Sequence, residues 1–347
     1  MDYPSHLDQH EVAEELPLVT CPATVTAVRE LDDNRTSDVL DALRTELTPH
    51  DHADWVESCD DTAFDWDELF ARVEDSDVPD TILDRFETLR KRFDRPYPSL
   101  VTLDVSPAES LSFTPGQYVT IEFNDTPRPY SVASSPNADD LELCIRRVPD
   151  GELTSELCVE CEPGDDVTVR GPNGHMVLDE VSGRDMVFLS TGTGVAPFKS
   201  MIDFTFEEGR DEHDGQPRDV WLFLGSAYLD DTPYYDHWQT LADEHEHFHF
   251  VPCLTREHLL GSWDGEDGYV QQTLLKYLDG DAISSGDVPE DLRPFLDEKL
   301  AVTTDARIDP DNVEVYACGV SAMVQTLTEA VTAVGVDEAD LQAEGFG

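Results

Sequence analysis

The sequence predicts a small antiparallel β-barrel followed by a doubly wound α/β domain with a parallel sheet. Three observations carry this. Between about residues 100 and 178, short runs alternate apolar and polar side chains and are punctuated by Pro-Gly and Gly-Pro pairs. After Asp185 the rhythm changes to strand then helix, repeated, as in parallel sheets with crossover helices. At that change stands Ser190-Thr191-Gly192-Thr193-Gly194-Val195-Ala196-Pro197-Phe198, a glycine-rich turn between an apolar run and a helical pattern. Such a turn lets a ligand's phosphates approach backbone N–H groups at a helix start.

Taken in order, residues 1–20 read as an acidic arm. Ala23–Leu31 is expected to be a strand, since Ala23-Thr24-Val25-Thr26-Ala27-Val28 alternates. Ser37 is placed to cap a helix bearing Val39, Leu40, Leu43 and Leu47. Trp66, Leu69 and Val73 predict a second, short helix. Asp80 opens a third, with Ile82, Leu83, Phe86, Leu89 and Phe93 at helical spacing, stopped by Pro96 and Pro98. Barrel strands are expected at Leu100–Val105, Tyr118–Phe123, Leu141–Ile145 and Asp166–Val169, with turns at Pro115-Gly116, Pro163-Gly164 and Gly171-Pro172. The α/β part predicts strands at 186–190, 219–225, 248–254 and 313–318 and helices at 196–208, 233–244, 269–278 and 320–333. Residues 279–311 form an excursion with a short helix near 290–298. Pro197 suits a first helical turn, where no N–H partner is needed.

The 347 residues hold 22 Lys+Arg against 76 Asp+Glu, a net charge of −54. The acids are spread along the chain, and 39% of residues are hydrophobic, so this is neither one acidic tail nor a disordered tract. Self-repulsion on this scale is tolerable where salt screens it, which predicts a salt-adapted protein. Nucleic acid is excluded as a partner by like charge. No apolar run is long enough to span a bilayer, and the start of the chain lacks a signal peptide's apolar segment. Seven scattered cysteines fit a reducing cytoplasm better than a disulfide framework.

Four motifs follow one another in fixed order: Arg128-Pro129-Tyr130-Ser131, Gly151-Glu152-Leu153-Thr154, Gly192-Thr193-Gly194 and Tyr316-Ala317-Cys318-Gly319. Together they resemble the ferredoxin–NADP reductase family, over roughly residues 21–32 and 98–347. The resemblance implies an FAD-binding barrel domain (21–180) joined to an NAD(P)-binding α/β domain (181–347). It implies that Arg128 faces the flavin pyrophosphate, to which a guanidinium is matched in charge and shape. By the same resemblance Pro129 belongs to that motif, Tyr130 lies on the isoalloxazine face, and Ser131 offers a hydroxyl where hydride arrives. Gly151, Leu153, Thr154 and Ser155 would present a helix N-terminus to the pyrophosphate. Ile145, Arg146 and Arg147 match the strand end beside the ribityl and adenosine groups.

On the nicotinamide side, the resemblance assigns Gly192, Thr193, Gly194, Val195, Ala196 and Pro197 to the dinucleotide pyrophosphate. Gly225 and Ser226 go to its adenosine half. Thr255 and Arg256 match the hydroxyl–arginine pair that grips a 2′-phosphate, and Tyr269 matches a tyrosine stacking near the adenine. NADP is therefore expected ahead of NAD. Cys318 and Gly319 match a pair beside the nicotinamide ring. Phe346 is the candidate aromatic cover of the flavin face, although it sits one residue from the chain's last, Gly347. Tyr130, Ser131, Cys318 and Phe346 are thus the candidate catalytic set.

The resemblance also locates the helical stretch 33–97 as an insertion in the first barrel hairpin, between Ala23–Leu31 and Leu100–Val105. The alternative, a preceding domain, leaves the barrel without its opening strand. Within the insertion, Arg85, Arg90, Lys91, Arg92 and Arg95 form a local basic cluster. It is read as a docking patch for an acidic electron carrier such as ferredoxin or flavodoxin, beside the plainer reading of a helix end neutralised by nearby acids.

Weaker signals are His245-Glu246-His247-Phe248-His249, which puts three histidines on one face of a strand, the loose set His50, His52 and Cys59, and the lone Cys158–Cys161 CxxC. Each is expected to be structural, and no metal is assigned. No four-cysteine iron–sulfur pattern is present. The expected activity is hydride transfer between NADP(H) and FAD with single-electron transfer to a carrier protein. An NADH-dependent oxygenase reductase component and a non-catalytic interaction protein with a relic flavin fold are the alternatives.

Overall fold

A computed structural model describes residues 9–56, 64–148, 151–280, 282, 288–290, 292–302 and 304–346. The first half is built on six strands in the order β4-β3-β6-β1-β2-β5. These are β1 (Val19–Glu30), β2 (Leu100–Pro107), β3 (Tyr118–Phe123), β4 (Thr126–Ser131), β5 (Leu141–Arg146) and β6 (Asp166–Asn173). All pair antiparallel, and a bridge between Val132 and Leu143 brings the two edges together into a near-closed barrel. β1 buries Cys21, Ala23 and Val25 on one face, and its register shifts between Val25 and Ala27. Helix α5 (Glu152–Val159) plugs the barrel by adding Leu153, Leu157 and Cys158 to its core.

β1 and β2 are hydrogen-bonded neighbours, although about seventy residues separate them. The helices α2 (Thr36–Leu47), α3 (Trp66–Glu74) and α4 (Thr81–Phe93) therefore form an insertion in the first hairpin, as the sequence predicts. It has its own core of Leu43, Leu47, Trp66, Leu69, Phe86 and Leu89, joined by Leu259 and Leu260 from the α/β half. Ser37 is not the cap of α2. The helix starts at Thr36, whose N–H is taken by Asn34 Oδ1 at 3.0 Å.

The second half is a six-stranded parallel sheet, order β12-β11-β10-β7-β13-β14. Its strands are β7 (Asp185–Thr191), β10 (Val220–Ser226), β11 (Phe248–Leu254), β12 (Glu266–Asp267), β13 (Val313–Val320) and β14 (Leu341–Phe346). A two-residue-per-strand hairpin, β8 (Glu212–His213) and β9 (Gln216–Pro217), stands apart. Helices α6 (Ala196–Glu207), α7 (Tyr235–Glu244), α8 (Val270–Tyr277) and α9 (Ser321–Ala333) cover both faces. The chain leaves β7 towards β10 and returns to β13 on β7's other side. The switch point thus lies at the carboxyl end of β7, where the glycine-rich turn begins.

Among the elements that the sequence does not predict, besides the two-residue strands β8, β9 and β12, are a helix in the arm and the strands β4 and β14. The arm contains helix α1 (Gln9–Glu15), which is polar on nearly every side. β4 carries Pro127 and Pro129, which an edge strand accepts because it need not donate on its free side. β14 is the edge of the parallel sheet rather than a free tail.

The two halves meet through a small apolar seam. Leu100, Ala133 and Cys144 of the barrel pack on Ala196 at the start of α6. Lys199 of α6 reaches Glu142 at 3.6 Å. Gly116 sits so close to α6 that a Cβ there would lie 2.2 Å from the Met176 carbonyl and 2.4 Å from Met201 Cε.

Candidate functional site

Close packing at the switch point shapes the side to which the resemblance assigns the nicotinamide dinucleotide. After β7, Gly192–Val195 makes one tight 3-10 turn that runs directly into α6. Gly192 has φ +52° and faces open space. Gly194 has no such freedom, because a Cβ there would lie 2.6 Å from the Cys318 carbonyl and 2.8 Å from Gly319 Cα. Ser190 Oγ donates to the same Cys318 carbonyl at 3.1 Å, so the turn is locked against the end of β13. Gly225 plays the matching part at the end of β10, where a Cβ would meet Thr191 Cγ2 and Val270 Cγ2 at 2.8 Å. These close approaches leave a cleft of 320 Å³ bordered by Thr191, Gly192, Ser226, Asp231, Thr255 and Tyr269.

Thr255 and Arg256 follow β11, and both backbone N–H groups donate to the 226–227 carbonyls, at 3.1 and 2.9 Å. Arg256 is exposed, and among the described residues its guanidinium has no carboxylate partner. Tyr269 is 61% exposed at the cleft edge. The predicted members Val195, Ala196 and Pro197 are buried beneath the turn, so their side chains build the site rather than face a ligand.

On the barrel side, β4 carries Arg128, Pro129 and Tyr130 to the seam and ends at Ser131, two residues before Ala133 touches Ala196. Arg128 is exposed and donates to the carbonyl of Pro127 at 2.7 Å. Tyr130 packs on the barrel core, and burial pushes its hydroxyl up to about 12. Arg147 Nε lies 3.3 Å from Ser155 Oγ, and the Thr154 hydroxyl accepts the Val148 N–H at 3.0 Å, drawing the α5 N-terminus towards the end of β5. Arg146 instead crosses to the α/β half, with Nη1 3.2 Å from Asp231 Oδ1. Ile145 and Leu153 are buried in the barrel core, so any contact they make with a ligand is through backbone.

Cys318 is 1% exposed, and burial pushes its thiol well above the ordinary range, so it is protonated at neutral pH. Its partner across the sheet is Glu344 of β14. Burial raises the Glu344 carboxyl as well, with His175 partly opposing. Sequence reasoning missed Glu344, because the register between two parallel strands is not written in either one. Gly345 and Phe346 continue that strand beside Gly319 and Val320, with Phe346 43% exposed. Ala133 of the barrel thus packs with Ala196 in the seam, two residues along from Gly194, which lies against Cys318.

The basic cluster of the insertion is largely committed within the chain, which corrects its reading as a free docking patch. Arg92 is buried against Asp230, and Arg95 binds Asp231 and Asp32. Arg85 pairs with Glu46 at 2.9 Å and Arg90 with Asp67 at 3.2 Å. Lys91 is exposed.

Most histidines of the weaker motifs contact other side chains. His247 and His249 share Asp219, at 3.4 and 2.7 Å, while His245 packs on Phe206. His52 stacks on Trp55 with ring centroids 3.9 Å apart, and Cys59 lies outside the described residues. Burial pushes Cys158 up to about 12 and Cys161 up to about 11, which disfavours the reactive thiolate. Among the described residues no cluster of His, Cys, Asp and Glu could hold a metal ion, and no helix is long and apolar enough to cross a membrane.

Comparison with known proteins agrees with this layout. A family described as an oxidoreductase FAD-binding domain matches residues 99–178, and one described as an oxidoreductase NAD-binding domain matches residues 188–329. The chain is 32% identical over 185 residues to the xylene/toluene monooxygenase electron transfer component XylA of Pseudomonas putida, covering 52% of this chain and 51% of that protein. It is 27% identical over 257 residues to a ferredoxin–NADP reductase of Thermosynechococcus vestitus, covering 67% and 60%. The chain therefore spans between half and two thirds of the length of these relatives. A solved ferredoxin NADP+ reductase from Neisseria gonorrhoeae, with FAD and NADP bound, shares the fold with TM-score 0.53 and 24% identity over 72% of this chain and 93% of that one. A flavin-domain barrel and a nicotinamide-domain sheet, matched in this order on this fold, show a flavoprotein oxidoreductase with FAD-binding and NAD-binding domains, similar to the ferredoxin–NADP reductases.

Proposed function

We propose that this enzyme transfers hydride between NADP(H) and FAD and single electrons between FAD and a carrier protein such as a ferredoxin or flavodoxin. The observation that carries the choice of NADP is Arg256. The chain has 76 acidic residues, yet this guanidinium stands exposed beside Thr255 without a carboxylate partner among the described residues. A guanidinium beside a hydroxyl suits a 2′-phosphate in charge and geometry, and the exposed ring of Tyr269 offers the adenine a flat apolar face.

The barrel fits a flavin dinucleotide on similar grounds. Arg128 and Arg147 lack carboxylate partners among the described residues, and Arg147 lies beside the start of α5, where an anion is favoured. Bound FAD would supply the conversion of a two-electron hydride into single electrons. The chain's own residues align and shield. The 192–195 turn and Gly225 admit a dinucleotide backbone. Tyr130 and Ser131 end β4 at the seam. The protonated Cys318 thiol shapes the wall without acting as a nucleophile. Glu344, its carboxyl raised by burial, stands opposite it on β14. Phe346 remains the candidate cover for an open flavin face. The buried, unpaired thiols Cys21, Cys144, Cys158, Cys161, Cys253 and Cys318 are compatible with a cytoplasmic location.

The second reading is an NADH-dependent reductase component of an oxygenase system. It is supported by relatives named as electron transfer components of xylene/toluene monooxygenase and toluate 1,2-dioxygenase. Coenzyme preference separates the two. The purified protein should be yellow in molar salt, bleach with NADPH and prefer it to NADH. Arg256→Ala should lower kcat/KM for NADPH by about 30-fold and leave NADH within about threefold. A parent protein that prefers NADH overturns the NADP assignment. One that neither contains nor takes up FAD overturns the catalytic reading altogether.

A further inference from the structure

The loop after β10 brings two carboxylates together at the edge of the cleft. The side chains of Asp230 and Asp231 are only 5% and 7% exposed. Two buried like charges in adjacent positions are unfavourable unless cations hold them. Four arginines do so here, and three of them come from the insertion or its flanks. Arg35 reaches Asp230 at 3.2 Å, Arg92 binds Asp230 and lies 3.8 Å from Asp231, and Arg95 binds Asp231. Arg146, at the end of β5, closes the group on Asp231 at 3.2 Å. Arg92 is the innermost, 1% exposed, with its guanidinium 4.9 Å from the Tyr228 ring centroid.

The loop is also the wall of the cleft. Asp231 and Arg146 both border it, and the Asp231 carbonyl accepts from Ser226 Oγ at 3.3 Å and from Arg146 Nη2 at 3.1 Å. An unpaired carboxylate there would repel a pyrophosphate or a 2′-phosphate. We propose that Arg92 is a positioning residue for dinucleotide binding: through Asp230 and Asp231 the helical insertion fixes the 227–232 wall and cancels its negative charge. This rests on the reading of the cleft as the dinucleotide site. It gives the insertion a working role inside the enzyme rather than as a free surface.

The test is equilibrium binding of NADP+ to the FAD-loaded protein in molar salt, measured alongside flavin content, unfolding temperature and steady-state kinetics. Arg92→Met should weaken NADP+ binding and raise KM for NADPH by about tenfold while kcat stays within about twofold. Because Arg92→Met strands a buried carboxylate, the double variant Arg92→Met/Asp230→Asn is compared with it. The double variant should regain thermal stability but only part of the affinity, because it removes the stranded charge without restoring the tether of the 227–232 wall. If Arg92→Met binds NADP+ as the parent does, or if affinity returns in full with stability in the double variant, Arg92 is structural only and the proposal fails. A parent protein that binds neither dinucleotide overturns the reading of the cleft and this role with it.

Discussion

Gly194→Ala should cut nicotinamide-dependent turnover by about 100-fold while the protein keeps its flavin. A single added methyl lands 2.6 Å from the Cys318 carbonyl and 2.8 Å from Gly319 Cα, both main-chain atoms of a central strand that cannot swing aside. The turn must then lift from β13, moving the N–H groups that on the proposed reading would face a phosphate and spoiling the alignment the proposed hydride transfer would require. Overpacking of this kind costs about 1–3 kcal/mol, so folding should survive. Gly225→Ala is the graded comparison. Its clashes, 2.8 Å from Thr191 Cγ2 and Val270 Cγ2, are with side-chain methyls that can shift, so its loss should be smaller. Gly261→Ala meets nothing within 4 Å and should be neutral. The measurement is kcat/KM for NADPH with a small dye acceptor, together with the flavin absorbance of each variant. Gly194→Ala at parental activity would contradict the assignment of this turn to the dinucleotide.

The sequence made the frame legible where burial writes a strong local pattern. β11 falls at 248–254 as predicted because a parallel strand covered on both faces reads as a mostly apolar run, broken here by His249. The glycine turn is legible because close main-chain approach admits few residue types. What failed to show was decided by contacts between distant segments. Arg92 and Arg95 read as surface charge, since a basic run looks alike in water or against Asp230 and Asp231, which lie well over a hundred residues away. Glu344 reads as one acid among 76, and only the pairing of β13 with β14 puts it opposite Cys318. Ile145, Leu153 and Val195 were picked out by motif neighbourhood. The period-2 and helical patterns that turn them into the core are visible in the sequence, and could have separated them from Arg146, Thr154 and Thr193.

Transfer from molar salt to roughly 0.1 M salt at pH 7 should lower the unfolding temperature by more than about 15 °C. The cations the chain possesses are largely spent on specific internal contacts. Arg29 holds Asp104 and Glu142 at 2.7 and 2.9 Å, Lys276 holds Glu266 and Glu298 at 3.0 and 2.9 Å, and four arginines are gathered at Asp230 and Asp231. With 22 bases and 76 acids, most surface carboxylates have no cation to face. Their repulsion reaches about 10 Å at 0.1 M salt but only about 3 Å at 1 M. Acidification should partly substitute for salt. Burial raises the carboxyls of Asp185, Asp230 and Glu344, so the folded chain binds those protons more tightly than the unfolded chain. Their contribution therefore grows as pH falls towards their folded values and is lost as pH rises through them. Asp219 runs the other way, held below its ordinary range by hydrogen bonding from His249, as is Asp203 by His237 and Lys199 despite its burial. Their stabilisation is complete above the ordinary aspartate range and disappears as pH drops through their folded values. In low salt, stability should accordingly peak on the acid side of neutrality and fall again below about pH 4. Circular dichroism melts across a grid of salt and pH check this. A melting temperature indifferent to salt at pH 7 would mean that the −54 charge is balanced locally, and that the acidic surface is no adaptation to salt.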